Sequence, residues 1–205
     1  MKEIPRFYNS LEETKKEIFS LLIQGVKKRK SNFHNTVLNT VTINNKPDAR
    51  TVVLRGFNIE KLIINIHSDL RAQKIIELQK NANACLVFYD DQKKIQLRVR
   101  GTANIQKSLK DSWNKLGNWS RRCYLSKDKP GVISKKPTSG FPDDFTLEAP
   151  SSKQSEDGLK NFCVIQISIN EIEWLYLASQ GHRRAIFNVE RGEPQLSVRG
   201  KWLVP

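Results

Sequence analysis

The segment HSDLRAQK (67–74) joins a run of β-branched residues to a helical pattern, and its side chains suit the binding of a phosphate group. A helix start offers unpaired backbone N–H groups and a partial positive charge. Ser68 or Asp69 could cap this helix, while Arg71 and Lys74 lie three residues apart and would share one helical face. The segment therefore predicts a phosphate cradle, although an ordinary surface helix start has the same composition.

Two further segments are basic strands. In ARTVVLRGF, Arg50 and Arg55 are five residues apart, so a regular strand would point them to opposite faces. In IQLRVRG, Gln96, Arg98 and Arg100 alternate on one face. Burying such a face without partners is costly, because desolvated charges need pairing. We expect this face either to be exposed to solvent or to line a polar site.

A fourth segment, EWLYLASQGHRRAIF, begins as an aromatic strand and continues as a polar stretch with His182, Arg183 and Arg184. Taken by itself, this polar stretch is typical of a surface loop. The sequence has no GxSxG, HExxH, P-loop or GxGxxG motif, so nucleophilic, metal-dependent and dinucleotide-binding classes lack their usual signals. Its three cysteines form no CxxC pair and no ligand pattern with the three histidines. We expect reduced thiols and no metal site.

The elements that must position these side chains are mostly strands. SLEETKKEIFSLLIQGVKKRK predicts an N-terminal helix, with Ser10 and Glu13 as a capping box. The remaining pattern predicts strands over 35–44, 49–57, 61–67, 84–90, 93–106 and 162–177 (with a turn near 168–171), helices over 69–81 and 107–119, and a C-terminal hairpin. Short turns between strands favour a mainly β fold, an antiparallel barrel with flanking helices. We expect one domain over 1–205, with the N-terminal helix inside 1–32 and a loop-rich insertion over 120–160.

The charge balance is strongly basic. The 205 residues include 35 Lys and Arg against 21 Asp and Glu, a formal net charge of +14. Such an excess suits a polyanionic partner, either a nucleic acid or a phosphorylated cofactor, but no nucleic-acid-binding motif is present. No apolar run is long enough to span a membrane, and no export signal is found, so we expect a cytoplasmic protein.

Taken in order, the four segments resemble the pyridoxamine 5'-phosphate oxidase family, the FMN-binding split β-barrel flavoproteins. The resemblance runs from about Phe33 to Pro205. RTVVLR resembles the family's Arg-x-x-x-Leu-(Lys/Arg) strand, and HSDLRAQK resembles its (Tyr/His)-(Thr/Ser)-(Asp/Asn)-x-(Arg/Gly)-(Ser/Ala)-x-Lys turn. Gln96 matches the strand glutamine, Trp174 and Arg184 match a Trp and an Arg ten residues apart, and WLVP resembles the terminal Arg-Leu-x-Pro.

The resemblance implies an FMN-binding split β-barrel that forms a homodimer with the cofactor at the subunit interface. It implies that arginine, lysine and serine side chains hold the FMN phosphate, that one strand's backbone lies against the isoalloxazine ring, and that a Trp and an Arg come from the other subunit. Gln73 stands where the oxidases have an arginine, and the nearby Arg71 could supply the missing positive charge. The implied cofactor residues are Arg50, Thr51, Val52, Val53, His67, Ser68, Arg71, Gln73, Lys74, Gln96, Trp174 and Arg184.

The resemblance also implies a reaction, the oxidation of pyridoxamine or pyridoxine 5'-phosphate by hydride transfer to the flavin and reoxidation by oxygen. Arg55 and His182 are the implied substrate-binding residues, and no side chain is assigned as a strong acid or base. Gln180 replaces an expected arginine, and the family's substrate-phosphate set is matched only loosely, by Trp119, Arg122 and Ser126. A flavin-binding protein without turnover and a basic nucleic-acid-binding module remain alternatives.

Overall fold

The structure is a computed structural model that describes residues 4–107, 109–192 and 196–205. Helix α1 (Leu11–Lys27) begins where the sequence predicts it, and the Ser10 side chain accepts a hydrogen bond from the backbone N–H of Glu13. Its apolar stripe is buried, with Ile18 and Leu22 at most 1% exposed. The helix is therefore held against the barrel by the face that the sequence pattern marks.

Eight antiparallel strands form one sheet in the order β3-β2-β1-β4-β5-β6-β7-β8. Strand β3 also pairs with β6, which closes the first six strands into a barrel and leaves β7 and β8 as an extension. The predicted antiparallel barrel with flanking helices is thus confirmed. The strands are β1 (Asn35–Val41), β2 (Pro47–Asn58), β3 (Ile63–Asp69), β4 (Asn83–Asp90), β5 (Ile95–Lys107), β6 (Phe162–Tyr176), β7 (Arg183–Arg191) and β8 (Leu196–Leu203).

Strand β6 connects the barrel to its extension. Residues 162–168 pair with β3, residues 171–176 pair with β7, and β5 runs beside both halves. The turn predicted near 168–171 is wrong, because the strand continues through it. The register instead shifts between Arg100 and Gly101 of β5, which leaves Asn170 as the extra residue of a β-bulge. A bulge absorbs the polar interruption in the sequence pattern without ending the strand.

The helices after α1 are short. The helix predicted over 107–119 forms only as two short pieces, with Gly117 at the N-cap of the second. The regular structure over 120–160 consists of short helical pieces, and residues 193–195, inside the predicted C-terminal hairpin, lie outside the described residues. No helix in the described part of the chain is long and apolar enough to cross a membrane. These helices are α2 (Gln73–Lys80), α3 (Lys110–Asn114), α4 (Asn118–Arg122) and α5 (Ser152–Ser155).

The barrel interior and the underside of α3 form two apolar clusters. The larger one fills the barrel and includes the stacked rings of Phe33 and Phe88, whose centroids are 5.3 Å apart. The smaller one joins Trp113 of α3 and Tyr124 to Phe162 at the start of β6. This second cluster fixes α3 over the outer surface of β3 and β6.

We predict that Gly101→Ala strongly destabilises the protein. A Cβ at this position would lie 2.3 Å from the carbonyl oxygen of Ser168 on β6, and this oxygen cannot move without disturbing the β5–β6 pairing. Overpacking of this kind costs about 3 kcal/mol of unfolding free energy, which urea denaturation would measure. Gly117→Ala is the matched control, because an added Cβ there has no neighbour within 4 Å. Equal stability of the two variants would contradict the prediction.

Candidate functional site

The turn between β3 and α2 carries the predicted phosphate-binding segment. Strand alternation turns Ser68 inward, where it is buried, and leaves His67 facing outward. Helix α2 begins at Gln73 with Ala72 as its N-cap, and no side chain caps it. The predicted cap by Ser68 or Asp69 is therefore wrong. Asp69 instead accepts a hydrogen bond from the backbone N–H of Arg71, two residues further on.

Lys74 is a half-buried ammonium group at this turn. Its Nζ lies 3.5 Å from the hydroxyl oxygen of Ser68, and within the described part of the chain it makes no salt bridge. Burial, followed by the positive charge of Arg50, lowers the pKa of Lys74. Two cations thus lie near each other beside a hydroxyl group, and an anion placed between them would relieve both the desolvation and the repulsion.

Arg50 reaches this turn from β2. Its guanidinium donates to Glu77 Oε2 (3.0 Å) and Thr40 Oγ1 (2.5 Å), and it also forms an ion pair with Asp48. Glu77, on α2, is 1% exposed, whereas the Arg50 side chain keeps 20% of its surface exposed. The predicted phosphate ligands Arg50 and Lys74 are thus brought together, with a buried carboxylate behind the arginine.

Arg71 is directed away from this pair. It lies before the first residue of α2, so the expectation that it shares a helical face with Lys74 is wrong. Its guanidinium binds both carboxylate oxygens of Asp69 and donates to the backbone carbonyls of Ser126 and Lys127. The charge of Arg71 is thereby neutralised, and the side chain ties the loop-rich insertion to the end of β3. Gln73 is exposed on the first turn of α2.

The predicted ring-binding strand, residues 51–53 of β2, has one free edge. Strand β2 pairs with β1 along this stretch, but within the described residues it pairs with β3 only over residues 54–58. Backbone groups along the free edge are therefore available to a planar ligand with hydrogen-bonding edges. Thr51 is exposed, while Val52 packs against the barrel core.

Next to this edge lies a basic cavity of about 320 Å³. Arg55 enters it from a β-bulge in β2, where the pairing with β3 shifts between Leu54 and Gly56. Regular alternation along β2 places residues 50, 52 and 54 on one face, so Arg55 faces away from Arg50, as their spacing predicts. The cavity is lined by Arg55, Asn65, His67, Ser112, Lys115, Leu116 and Val164.

His67 is the neutral member of this cavity. Its ring packs edge-on against Phe162, with centroids 5.1 Å apart, and its Nδ1 is buried without a hydrogen-bond partner among the described residues. Burial, followed by the charge of Arg55, lowers the pKa of His67 to about 4. The imidazole is therefore uncharged at neutral pH, with one ring nitrogen left to bond a ligand.

The predicted Gln96 and Arg184 lie together on a second surface, the outer face of β5, β6 and β7. Arg184 donates from Nε to Glu173 Oε1 (2.9 Å), and Arg98 forms an ion pair with the same carboxylate. Burial alone would raise the pKa of Glu173, but the hydrogen bonds and charges of Arg98 and Arg184 outweigh it and lower the pKa. The basic face of β5 is thus exposed and paired. Gln96 lies on it opposite Leu175.

Trp174 lies on the inner side of β6. It pairs with Leu97, is 0% exposed, and packs edge-on against Phe7 at 5.2 Å. The side chain therefore has no surface left for a bound cofactor, contrary to the expectation from the resemblance. Strand alternation decides this, because the next residue, Leu175, takes the outward position beside Gln96.

His182 lies on the exposed loop after β6 and does not meet Arg55 within one chain. It lines a different cavity, formed with Arg183 and the C-terminal residues. The loop is held by the hydroxyl of Tyr8, which donates to the carbonyl oxygen of Gly181 (2.9 Å). The two predicted substrate-binding residues thus occupy separate surfaces of the single chain.

The residues that loosely match the family's substrate-phosphate set, Trp119, Arg122 and Ser126, make contacts outside the cavity of Arg55. Arg122 stacks on Trp119 and Phe141 and donates to the carbonyl of Phe145, so it organises the insertion. Ser126 donates to the carbonyl of Asp128. The cavity of Arg55 instead receives two side chains that the sequence analysis missed, Ser112 and Lys115 of the α3 region. The only signal for Ser112 and Lys115 in the sequence was the helix predicted over 107–119, which contains both residues.

We predict that His67 titrates near pH 4 in the folded protein, against an ordinary value of 6.5. Because the folded pKa is lowered, the unfolded chain takes up this proton first, and the free energy of unfolding falls as the pH drops from about 6.5 to about 4. Imidazole NMR shifts, assigned with His67→Asn, would measure the pKa. Arg55→Gln removes the positive charge that helps to lower the pKa of His67, so the pKa should be higher in this variant. A wild-type value near 6.5 would contradict the prediction.

Part of the chain matches known proteins in sequence. Residues 15–107, from α1 to β5, match the family model described as pyridoxamine 5'-phosphate oxidase, FMN-binding domain. The chain is 25% identical over 142 residues to pyridoxine/pyridoxamine 5'-phosphate oxidase 2 of Arabidopsis thaliana, covering 68% of this chain and 72% of that protein.

Two solved structures share the fold. A pyridoxamine 5'-phosphate oxidase-related, FMN-binding protein from Nostoc punctiforme superposes with a TM-score of 0.73 at 20% identity, over 92% of this chain and 96% of that one. PhzG from Burkholderia lata was solved in complex with tetrahydrophenazine-1-carboxylic acid. It superposes with a TM-score of 0.68 at 14% identity, over 99% of this chain and 98% of that one. Residues 15–107 are thus similar to the FMN-binding domain of pyridoxamine 5'-phosphate oxidases, and the two solved structures show that the chain shares their split β-barrel fold.

Proposed function

We propose that the protein binds FMN and is an FMN-dependent oxidoreductase. The observation that carries this proposal is the half-buried Lys74, which lies near Arg50 and beside the hydroxyl of Ser68 and has no carboxylate partner in the described part of the chain. A phosphate dianion accepts charge-assisted hydrogen bonds from such groups. The site lies within the residues that match an FMN-binding domain model.

The residues around the turn fit the two ends of FMN. Lys74, Arg50 and Ser68 would hold the phosphate. The free backbone edge at residues 51–53 would bond the polar edge of the ring, and His67, neutral at physiological pH, would stand beside it without adding charge. Arg71 and Gln73 are left out of this proposed contact set, because one is bound to Asp69 and the other is exposed on the far side of the turn.

We propose that a second copy of the chain completes the site through the outer face of β5, β6 and β7. This face carries Gln96 and Arg184, and beside them the large apolar side chains of Val37 and Tyr89 are 37% and 44% exposed. Packing two copies through the face would cover these side chains. It would also allow His182 of one chain to approach Arg55 of the other. A sedimentation mass of one chain instead of two would contradict the dimer.

The basic cavity next to the ring-binding edge supports an anionic substrate. Arg55 and Lys115 would bind a phosphate group, and Ser112 and Asn65 would add neutral hydrogen bonds. When bound, FMN would supply the redox chemistry, accepting a hydride from a substrate carbon at N5 and passing the electrons to oxygen. We therefore propose pyridoxamine or pyridoxine 5'-phosphate, or a related small anion, as the substrate, which Arg55 and His182 would orient.

Flavin titration of the purified protein tests the binding proposal. We expect FMN to bind with quenched fluorescence, and Lys74→Ala to weaken this binding about 10- to 150-fold, the loss of one hydrogen bond to a charged group. Riboflavin, which lacks the phosphate, should bind wild type and variant alike. Arg50→Ala should act as Lys74→Ala does, and the double variant should be non-additive, because both cations contact one group. A wild-type protein that binds no FMN would refute the proposal.

Oxygen uptake with pyridoxamine 5'-phosphate tests the reaction. We expect turnover by the FMN-loaded protein and a higher KM in Arg55→Ala, because that change removes a cation from the proposed phosphate cavity. His182→Ala should lower kcat/KM. Turnover that both substitutions leave unchanged would refute the assigned roles. Bound FMN without turnover would favour a different substrate or a flavin-binding protein without catalysis.

A further inference from the structure

Glu77 is a buried carboxylate with a specific set of partners. Its side chain is 1% exposed, and Oε2 accepts hydrogen bonds from Thr40 Oγ1 (2.6 Å) and from the guanidinium of Arg50 (3.0 Å). Oε1 is buried and has no partner among the described residues. Burying a carboxylate is costly, and an apolar side chain of similar size could fill the same space. Packing alone therefore does not explain why a charged side chain, and not an apolar one, occupies position 77.

The carboxylate of Glu77 holds Arg50 on the side facing the core. Asp48 also pairs with Arg50, but its side chain is 43% exposed, so an incoming anion can displace it. Glu77 cannot be displaced in this way, because its side chain is buried between α2 and β1, beside Thr40. Without Glu77, the exposed Asp48 would be the only carboxylate among the described residues that pairs with Arg50. The other contacts of Arg50, with Thr40 and the Leu38 carbonyl, are uncharged. Glu77 is thus the partner that determines where the guanidinium stays when a ligand arrives.

Glu77 and Lys74 belong to the same helix. They are three residues apart on α2, a spacing that places two side chains on one helical face. The helix therefore carries both the lysine that would contact the phosphate and the carboxylate that holds the arginine. Because one rigid helical turn joins Lys74 to Glu77, it fixes the distance between Lys74 and the arginine that Glu77 holds, Arg50.

We infer that Glu77 is a positioning residue, which orients Arg50 toward the phosphate of the bound flavin. The inference rests on the proposed function and deepens it, since it concerns how the same site recognises a phosphomonoester. Glu77 does not touch the ligand. Its effect passes through the guanidinium of Arg50, and Thr40 supports it by donating to the same carboxylate oxygen.

Glu77→Asp is the sharpest test, because it keeps the negative charge but shortens the side chain by one methylene. We expect the shorter carboxylate to lose its contact with Arg50 and FMN to bind about tenfold more weakly. Riboflavin, which has the ring without the phosphate, should bind as it does to the wild type. Thr40→Val changes no charge but removes the hydrogen bond to Glu77. It should also weaken FMN binding, by a smaller factor than Glu77→Asp. Fluorescence titration with both flavins gives the two dissociation constants.

Glu13→Asp is the matched control, the same change in an exposed glutamate that pairs with Lys16 three residues along α1. It should leave both flavin affinities unchanged, and cooperative thermal unfolding would show that the Glu77 and Thr40 variants are folded. FMN affinity unchanged in both Glu77→Asp and Thr40→Val would overturn the inference. An equal loss of FMN and riboflavin binding would also overturn it, since that pattern belongs to a merely structural residue. A wild type that binds neither flavin would instead refute the proposed function.

Discussion

The pairing of β3 with the first half of β6 is the constraint on which the candidate site depends. It closes the barrel, and its register sets His67 opposite Val164 and Ser68 opposite Cys163. Because a strand has a period of two, this register sends His67 to the outer cavity and Ser68 to the phosphate side. A shift by one residue would exchange them. On its other edge β3 pairs with β2 only as far as Leu54, which leaves the edge at residues 51–53 free.

Buried or half-buried carboxylates hold the arginines of this fold. Glu77 binds Arg50, Glu173 binds Arg184, and the Asp69 carboxylate binds Arg71 in a two-point contact. A buried carboxylate must be paired, so each pair fixes a long side chain that would otherwise sample many rotamers. The consequences differ with the partner. Arg71 holds the insertion with its remaining donors, whereas Arg50, which lies near Lys74, keeps a fifth of its side-chain surface exposed.

Charge shapes the two halves of the proposed flavin site differently. Around the β3–α2 turn, desolvation and the nearby arginine destabilise the charged form of Lys74, so a bound anion would be favoured there. In the cavity of Arg55, the neighbouring cation and burial keep His67 neutral. The two regions are only a few residues apart on β3. In the proposed arrangement the turn would hold the flavin phosphate, the neutral imidazole would stand beside the ring without adding charge, and the cations of the outer cavity would bind the substrate.

The sequence by itself determined the class of fold and most of the candidate residues. Local patterns carry this information: the capped helix after Ser10, the alternating strands, and the phosphate-binding segment with Lys74 all depend on neighbours within a few positions. The predicted strands agree with the structure to within a few residues. Position along the chain was therefore enough to associate Arg50, Lys74 and Gln96 with one family pattern.

Only the tertiary structure decided which of these side chains meet. The inward position of Trp174 depends on the parity of β6 after the bulge at Asn170. The cavity of Arg55 is completed by Ser112 and Lys115, which lie far from it along the chain. The role of Arg71 was decided by backbone carbonyls 55 residues away, and that of Glu77 by an arginine on another strand. Strand register, bulges and long-range pairing are set by the whole barrel at once. A local sequence pattern contains no record of them, because it specifies which way a residue points only relative to its neighbours.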